Sequence, residues 1–153
     1  LNLMKNKRVR DYMKYWRVIR YFVKRKYKLN TGELDMLFFL YSEEYFNVDK
    51  FNEFNVLLGW NKMRFDKLHR DGWIETYKKA VPHRRKALYG LSYKCVRMLD
   101  SVYDKLEGGR SPEHYTRNPI FLVKGGYNDK VYRNTIKKMN EAIRQEQCHS
   151  LEL

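Results

Sequence analysis

Residues 60–92 read WNKMRFDKLHRDGWIETYKKAVPHRRKALYGLS, and this stretch decides the fold. Apolar residues at helical spacing predict a helix over about 60–71, and Gly72 is well placed to end it. Alternating residues follow at 73–78, and a second β-like run lies at 87–91. A proline and several basic residues separate these two runs, so we predict a two-stranded hairpin with an exposed, positively charged tip.

Hydrophobic periodicity also predicts helices before this stretch. The first spans about 6–28 and is amphipathic, with an apolar face of Val9, Tyr12, Trp16, Ile19 and Val23. Asn30 and Glu33 have the spacing of a capping box, in which each residue binds the backbone amide of the other. This pattern predicts a second helix that runs to about Glu44.

The remaining elements complete a recognisable order. A third, short helix fits about 47–54, and 55–59 are expected to form a turn. After the hairpin, Ser92 can cap a fifth helix that runs to about Leu106, and a final helix is predicted over about 129–146. This order is typical of a winged helix-turn-helix, so the predicted fold class is mainly α with a small β-hairpin wing. Because a helix fits the major groove and a basic hairpin reaches phosphates, the order favours binding to duplex DNA.

The centre of the stretch resembles a known family. Leu68-His-Arg-Asp-Gly72-Trp-Ile74 is followed by His83-Arg-Arg85 and then by Leu91-Ser92. This order and spacing resemble the MarR-type winged-helix regulators. In those proteins the recognition helix ends with a Leu, three further residues, a Gly and two apolar residues. The wing then contains Asp-x-Arg, and a Leu-Thr pair opens the next helix. Arg85 falls at the wing arginine, whereas His83 stands where the family has Asp.

The resemblance implies a homodimer in which the first and last helices of the two subunits intertwine. It implies binding to pseudo-palindromic duplex DNA, regulation of transcription and, in many members, release by a small phenolic effector. We accordingly expect 1–153 to be a single domain. The winged helix-turn-helix would occupy about 30–107, and the dimerisation helices about 6–28 and 128–147.

The net charge of +14, from 32 Lys and Arg against 18 Asp and Glu, is unevenly distributed. Residues 1–30 carry a net charge of +10, residues 31–59 carry −5, residues 60–91 carry +6 and the remainder carries +3. Two basic blocks flanking an acidic one predict patches that attract a polyanion. The chain is 43% apolar and 16% aromatic, which is enough for a core and excludes a disordered basic tail.

The basic residues of 60–91 are the candidate DNA contacts. Those on the polar face of the predicted recognition helix would contact the major groove: Lys62, Arg64, Lys67 and Arg70. Those of the hairpin would contact phosphates or the minor groove: Lys78, Lys79, His83, Arg84, Arg85 and Lys86. A solvated turn that contacts no DNA is the plainer alternative for the hairpin cluster.

The first helix carries a basic stripe opposite its apolar face. The stripe consists of Arg10, Lys14, Arg17, Lys24 and Lys28, and Tyr21 lies on the same face of the helix. Charges opposite an apolar stripe are usually a solvated face. The net charge of +10 over residues 1–30 exceeds what solubility needs, so a second nucleic-acid contact is as well supported as a solvated face. A membrane-surface helix is the weakest of the three alternatives.

No sequence pattern predicts catalysis, a cofactor or a metal site. The four histidines and two cysteines show no ligand spacing, and the carboxylates are too sparse for a two-metal nuclease. Cys95 is flanked by Lys94 and Arg97, an arrangement that suits an oxidant sensor, but a buried, inert thiol is the expected state. Cys148 lies near the end of the final helix.

Localisation and two alternative functions complete the expectations. The sequence has no apolar run of the roughly 18–20 residues that span a bilayer and no signal peptide, so we expect a cytoplasmic bacterial or viral protein without a membrane partner. A sequence-independent DNA-architectural or genome-coating protein is the main alternative to a regulator, and the basic first helix favours it. An RNA- or single-strand-binding module that stacks bases on tyrosines is less favoured.

Overall fold

The computed structural model describes residues 11–58, 63–108, 118–121 and 126–152. The elements follow one another in the predicted order: α1 (Tyr12–Tyr27), α2 (Thr31–Tyr41), α3 (Val48–Leu58), α4 (Met63–Arg70), β1 (Ile74–Lys78), β2 (Leu88–Leu91), α5 (Tyr93–Leu106), a 3₁₀ turn (Pro119–Phe121) and α6 (Tyr127–Leu151). The predicted fold class, mainly α with a β-hairpin wing, is confirmed.

Backbone contacts divide the chain into two compact units. The terminal unit comprises Leu1–Tyr27 and Asp104–Leu153, and the central unit comprises Lys28–Tyr103. The central unit contains α2, α3, α4 and the hairpin, whereas the terminal unit contains α1, the 3₁₀ turn and α6. Across the described ranges, no helix is both long and apolar enough to cross a membrane.

The capping box at the start of α2 is confirmed. Asn30 Oδ1 accepts a hydrogen bond from the Glu33 backbone N–H at 2.7 Å, and the Asn30 N–H donates to Glu33 Oε2 at 3.4 Å. These bonds satisfy backbone donors that a helix start leaves unpaired. The helix ends at Tyr41, earlier than the predicted Glu44.

The helix α3 is longer than its sequence pattern predicts. Asn47 Oδ1 accepts a hydrogen bond from the Lys50 N–H at 3.1 Å, which confirms the start of the helix. The predicted turn over 55–59 is wrong for its described part, because α3 continues to Leu58. Asn55 lies one helical turn after Phe51 and shares its buried face, so a polar residue occupies a core position that the apolar pattern could not reveal.

The turn between α4 and the hairpin depends on Gly72. Its φ of +81° is one that residues with a Cβ rarely adopt, and it lets the Trp73 N–H return to the Leu68 carbonyl at 3.0 Å. The strands are antiparallel, with Ile74 opposite Leu91. Phe46 exchanges two backbone hydrogen bonds with Tyr89, at 2.9 and 2.7 Å, which ties the hairpin to the segment before α3.

The core of the central unit comes from α2, α3, α4, β1 and α5. Its fully buried apolar side chains include Leu34, Met36, Leu37, Leu40, Phe51, Leu68, Ile74, Met98, Leu99 and Val102. Ser92 caps α5 as predicted, since its Oγ accepts a hydrogen bond from the Cys95 N–H at 3.2 Å. On α5, Cys95 is buried and Tyr103 is 42% exposed.

The buried face of α1 is rotated from the predicted one. Val18, Ile19, Phe22 and Val23 are buried, whereas the predicted core residue Tyr12 is 51% exposed and Val9 lies outside the described residues. Phe22, which the predicted face did not include, therefore takes a fully buried position.

Tyr21 is not part of a solvated basic face. Its ring stacks on Tyr132 of α6, with centroids 4.0 Å apart and planes 10° apart. The helix α6 starts at Tyr127 and runs to Leu151, beyond the predicted end at 146. Ile136, Met139 and Ile143 are buried on one face of α6, whereas Val131 is 44% exposed.

Candidate nucleic-acid interface

The helix α4 presents a polar face opposite two buried residues. Phe65 and Leu68 point into the central unit, as predicted, while Asp66 and Arg70 are exposed. Arg70 has no ion pair with any carboxylate of the described residues. Lys62 lies outside the described residues, so its predicted role in DNA contact stays a prediction.

Glu33 binds two of the predicted major-groove residues. Its side chain is 1% exposed, and Oε1 lies 2.6 Å from Lys67 Nζ and 3.6 Å from Arg64 Nη1. A buried carboxylate needs opposite charges or hydrogen bonds to offset the loss of hydration, and these two cations supply them. Lys67 and Arg64 remain 43% and 37% exposed, so they anchor α4 while part of each side chain still faces solvent.

Two further contacts fix α4 against the start of the hairpin. A ring nitrogen of His69 lies 3.0 Å from Thr76 Oγ1 on β1. Lys94 Nζ donates to the Asp71 carbonyl at 3.0 Å and lies 4.0 Å from the centroid of a Trp73 ring. The recognition helix and the wing are therefore joined by side chains as well as by the backbone.

The wing tip, residues 79–87, divides the predicted wing cations into two groups. Arg84 Nη2 donates to the Lys79 carbonyl at 2.7 Å, and the backbones of Val81 and Arg84 pair with each other. Lys86 forms an ion pair with Asp49 of α3. Arg84 and Lys86 thus hold the tip in shape and attach it to the rest of the central unit.

The other wing cations are exposed. These are Lys78, Lys79 and Arg85, with the exposed imidazole of His83 beside them, and none of them has an ion pair with a carboxylate in the part of the chain that the structure describes. Exposed cations without a carboxylate partner are available to phosphates.

An exposed aromatic pair at the base of the wing was missed by the sequence reading. Tyr45 and Tyr77 stack with ring centroids 3.9 Å apart, and Lys78 Nζ lies 5.5 Å from the Tyr77 centroid. The side-chain hydrogen bond that Tyr45 donates to Tyr77 raises the pKa of Tyr45. The two residues are 32 positions apart, and neither belongs to a local pattern that predicts their contact.

The predicted basic stripe of α1 has a different composition in the structure. Lys14, Arg17 and Lys28 are exposed and Lys24 is half-buried, whereas Arg10 lies outside the described residues. Arg25, which is not in the predicted stripe, forms an ion pair with the buried Asp129 of α6 at 3.1 Å.

The two cysteines differ in exposure. Cys95 is fully buried, and burial raises the pKa of its thiol to about 12, while nearby Lys94 lowers it only in part. At neutral pH Cys95 is therefore a thiol and not a thiolate. Cys148 is exposed on α6. No group of three or more His, Cys, Asp or Glu side chains within the described ranges could hold a metal ion.

We expect the two cysteines to react at very different rates. In the native protein, an aromatic disulfide reagent should modify Cys148 within minutes and leave Cys95 unmodified, because the reagent requires an accessible thiolate. Denaturation should release the second thiol, and a Cys148→Ser variant should show no fast reaction. Rapid modification of native Cys95 would contradict its burial.

The pairing of Glu33 with Lys67 is expected to appear as a coupling energy. In a double-mutant cycle of Glu33→Gln and Lys67→Gln, urea unfolding should give a coupling of about 0.5–1.5 kcal/mol, low in the usual range because solvent reaches Lys67. Glutamine preserves the capping box, so the cycle isolates the charge.

The matched control for this cycle is Arg70→Gln on the exposed face of the same helix. Its effect should add to that of Glu33→Gln, because Arg70 makes no ion pair with Glu33. A coupling for Lys67 no larger than that for Arg70 would contradict the assigned pair.

Comparisons with known proteins identify similar solved structures only. No protein-family model matches the sequence, and no curated protein matches it. Reduced AbfR bound to DNA is similar with a TM-score of 0.41 and 15% identity, over 80% of this chain and 84% of that chain. Disulfide-formed AbfR is similar with a TM-score of 0.42 and 14% identity, over 93% of this chain and 88% of that chain.

Proposed function

We propose that the protein is a dimeric transcription regulator of the MarR type that binds double-stranded DNA. The observation that carries this proposal is a set of exposed cations without ion pairs among the described residues, on two connected elements: Arg70 on α4, and Lys78, Lys79 and Arg85 on the wing, where His83 is also exposed. A helix end and a basic hairpin presented side by side match a major groove and its flanking phosphates.

The anchoring contacts support the same proposal. Glu33 fixes Lys67 on α4, and His69 connects that helix to Thr76 of β1. Base readout requires side chains that are held in place before DNA arrives, because ordering them on binding would cost free energy. Arg64 and Lys67 are proposed to contact DNA through their exposed portions, and Lys62 is proposed as a further contact.

The dimer is proposed from apolar side chains that the single chain leaves exposed on α1 and α6. These are Tyr12, Met13, Tyr127, Val131 and Leu151, of which Met13, Tyr127 and Leu151 are at least 77% exposed. Exposed apolar residues on helices next to a basic surface favour association with a second copy. A dimer would also double the charge that attracts DNA.

The direct test of the function is selection of bound duplexes from a random library, followed by a salt titration. A regulator should yield a consensus site that it prefers to a scrambled duplex by about 10³-fold or more at physiological salt. Equal affinity for unrelated duplexes would contradict regulation and indicate a sequence-independent DNA-coating protein. Absence of duplex binding at low salt would overturn the DNA proposal altogether.

Neighbouring arginines of the wing tip should respond differently to substitution. Arg85→Ala should weaken binding to the selected site by about 1–3 kcal/mol at fixed salt and leave the melting temperature unchanged, because Arg85 is exposed. Arg84→Ala should lower the melting temperature, because it removes the bond to the Lys79 carbonyl.

Lys137→Ala serves as the charge control, since Lys137 is exposed on α6 and outside the proposed interface. Fluorescence anisotropy gives the affinities and thermal unfolding gives the stabilities. Equal losses of affinity for Arg85→Ala and Lys137→Ala would remove Arg85 from the interface.

A further inference from the structure

A cationic cavity lies in the terminal unit, between α1 and the first turns of α6. Its volume is about 290 Å³, and it is lined by Arg17, Arg20, Tyr21, Lys24, Asn128 and Tyr132. The α1 residues recur at three- and four-residue steps, so they share one face of that helix. Asn128 and Tyr132 are one turn apart on α6 and form the opposite side.

The three cations of this cavity have no carboxylate partner. Within the described ranges, Arg17, Arg20 and Lys24 make no ion pair. Asp129 follows Asn128 directly, but its Oδ1 is already bound by Arg25 at 3.1 Å and by the Tyr21 hydroxyl at 2.5 Å. Among the described residues, no carboxylate therefore offsets the local charge of +3 that Arg17, Arg20 and Lys24 give the cavity.

The aromatic residues of the cavity are held in place. Tyr21 stacks on Tyr132 and donates to Asp129, and burial together with this hydrogen bond raises the pKa of Tyr21. The Arg20 guanidinium lies 5.9 Å from a Trp16 ring centroid, which orients it by a cation–π contact. Both features hold the cationic face in place before any ligand binds.

We propose that this cavity binds a phosphoryl group that carries at least two negative charges. A guanidinium offers paired donors that match phosphate oxygens, and two arginines with a lysine balance a multiply charged anion better than a single carboxylate. The volume is at the small end of ligand pockets, which suits a phosphate or diphosphate and excludes a large organic ligand.

The phosphoryl group has two sources with the same chemistry: a small phosphorylated molecule or the backbone of a nucleic acid. Inorganic pyrophosphate represents the first source, and a 20-base-pair duplex represents the second. The proposal concerns the terminal unit and does not depend on DNA readout by α4 and the wing. The two proposals therefore fail separately.

The experiment measures pyrophosphate binding by calorimetry and duplex binding by anisotropy, both at low salt, for the full chain. The test variant is Arg17→Gln/Arg20→Gln/Lys24→Gln. The matched control is Lys130→Gln/Lys137→Gln/Lys138→Gln, which removes the same charge from exposed positions of α6 that do not line the cavity. Circular dichroism checks that each variant is folded.

Three outcomes are informative. The site and a small-molecule source are supported if the test variant loses pyrophosphate affinity by at least about tenfold while the control variant loses less than about twofold. If the wild type binds pyrophosphate only weakly, and the test variant loses more duplex affinity than the control variant does, the result supports the site and a nucleic-acid source. Equal behaviour of the two variants in both assays overturns the proposal.

A second variant guards against a folding defect in the first. Arg17→Lys/Arg20→Lys keeps the charge and removes the paired donors of each guanidinium. It should weaken binding of whichever probe the wild type binds by at least about threefold. Wild-type affinity in this variant would overturn the assignment of the two arginines.

Discussion

The buried carboxylate of Glu33 serves two helices at once. It accepts hydrogen bonds from the Asn30 backbone N–H at 3.4 Å, in the capping box of α2, and from Asn30 Nδ2 at 3.0 Å, and it binds Lys67 of α4 at 2.6 Å. A carboxylate that is 1% exposed costs several kcal/mol unless its charge is balanced, so α4 is held where its cations reach Glu33. Removal of either cation would leave this charge undercompensated, so Glu33 adds an electrostatic constraint to the burial of Phe65 and Leu68 in fixing the position of α4.

The position of α4 in turn determines what the wing can do. The positive φ of Gly72 lets the chain pass from α4 directly into β1, and Lys94 closes this turn by bonding the Asp71 carbonyl. At the far end of the hairpin, Lys86 attaches the tip to Asp49. The cations that remain exposed are thus carried by a hairpin that is fixed at both ends, and a rigid display of charge is what distinguishes a binding surface from a solvated loop.

Local signals in the sequence were sufficient for the elements but not for the partners of the charged side chains. The capping box and the turn at Gly72 were predicted because each depends on residues within a few positions of one another, and the hairpin because its two strands follow one another directly in the chain. The bond between Glu33 and Lys67 joins residues 34 positions apart, so no local pattern contains it. The continuation of α3 through Asn55 was missed for a related reason: a buried polar residue interrupts the apolar periodicity on which the prediction relied.

The same distinction explains how the basic charge is used. Arg84 and Arg85 contribute the same charge to the composition. Arg84, however, donates a hydrogen bond to a carbonyl within the wing tip, whereas Arg85 is exposed. On α1, Arg25 is matched by Asp129, while Arg17 and Lys24 line a cavity without a carboxylate. Cations already bound to a carboxylate contribute little to the attraction of a polyanion, because the partner cancels their field at a distance. The affinity for phosphates should therefore follow the unmatched cations and not the net charge of +14, and variants of equal net charge should differ in binding according to which group they remove.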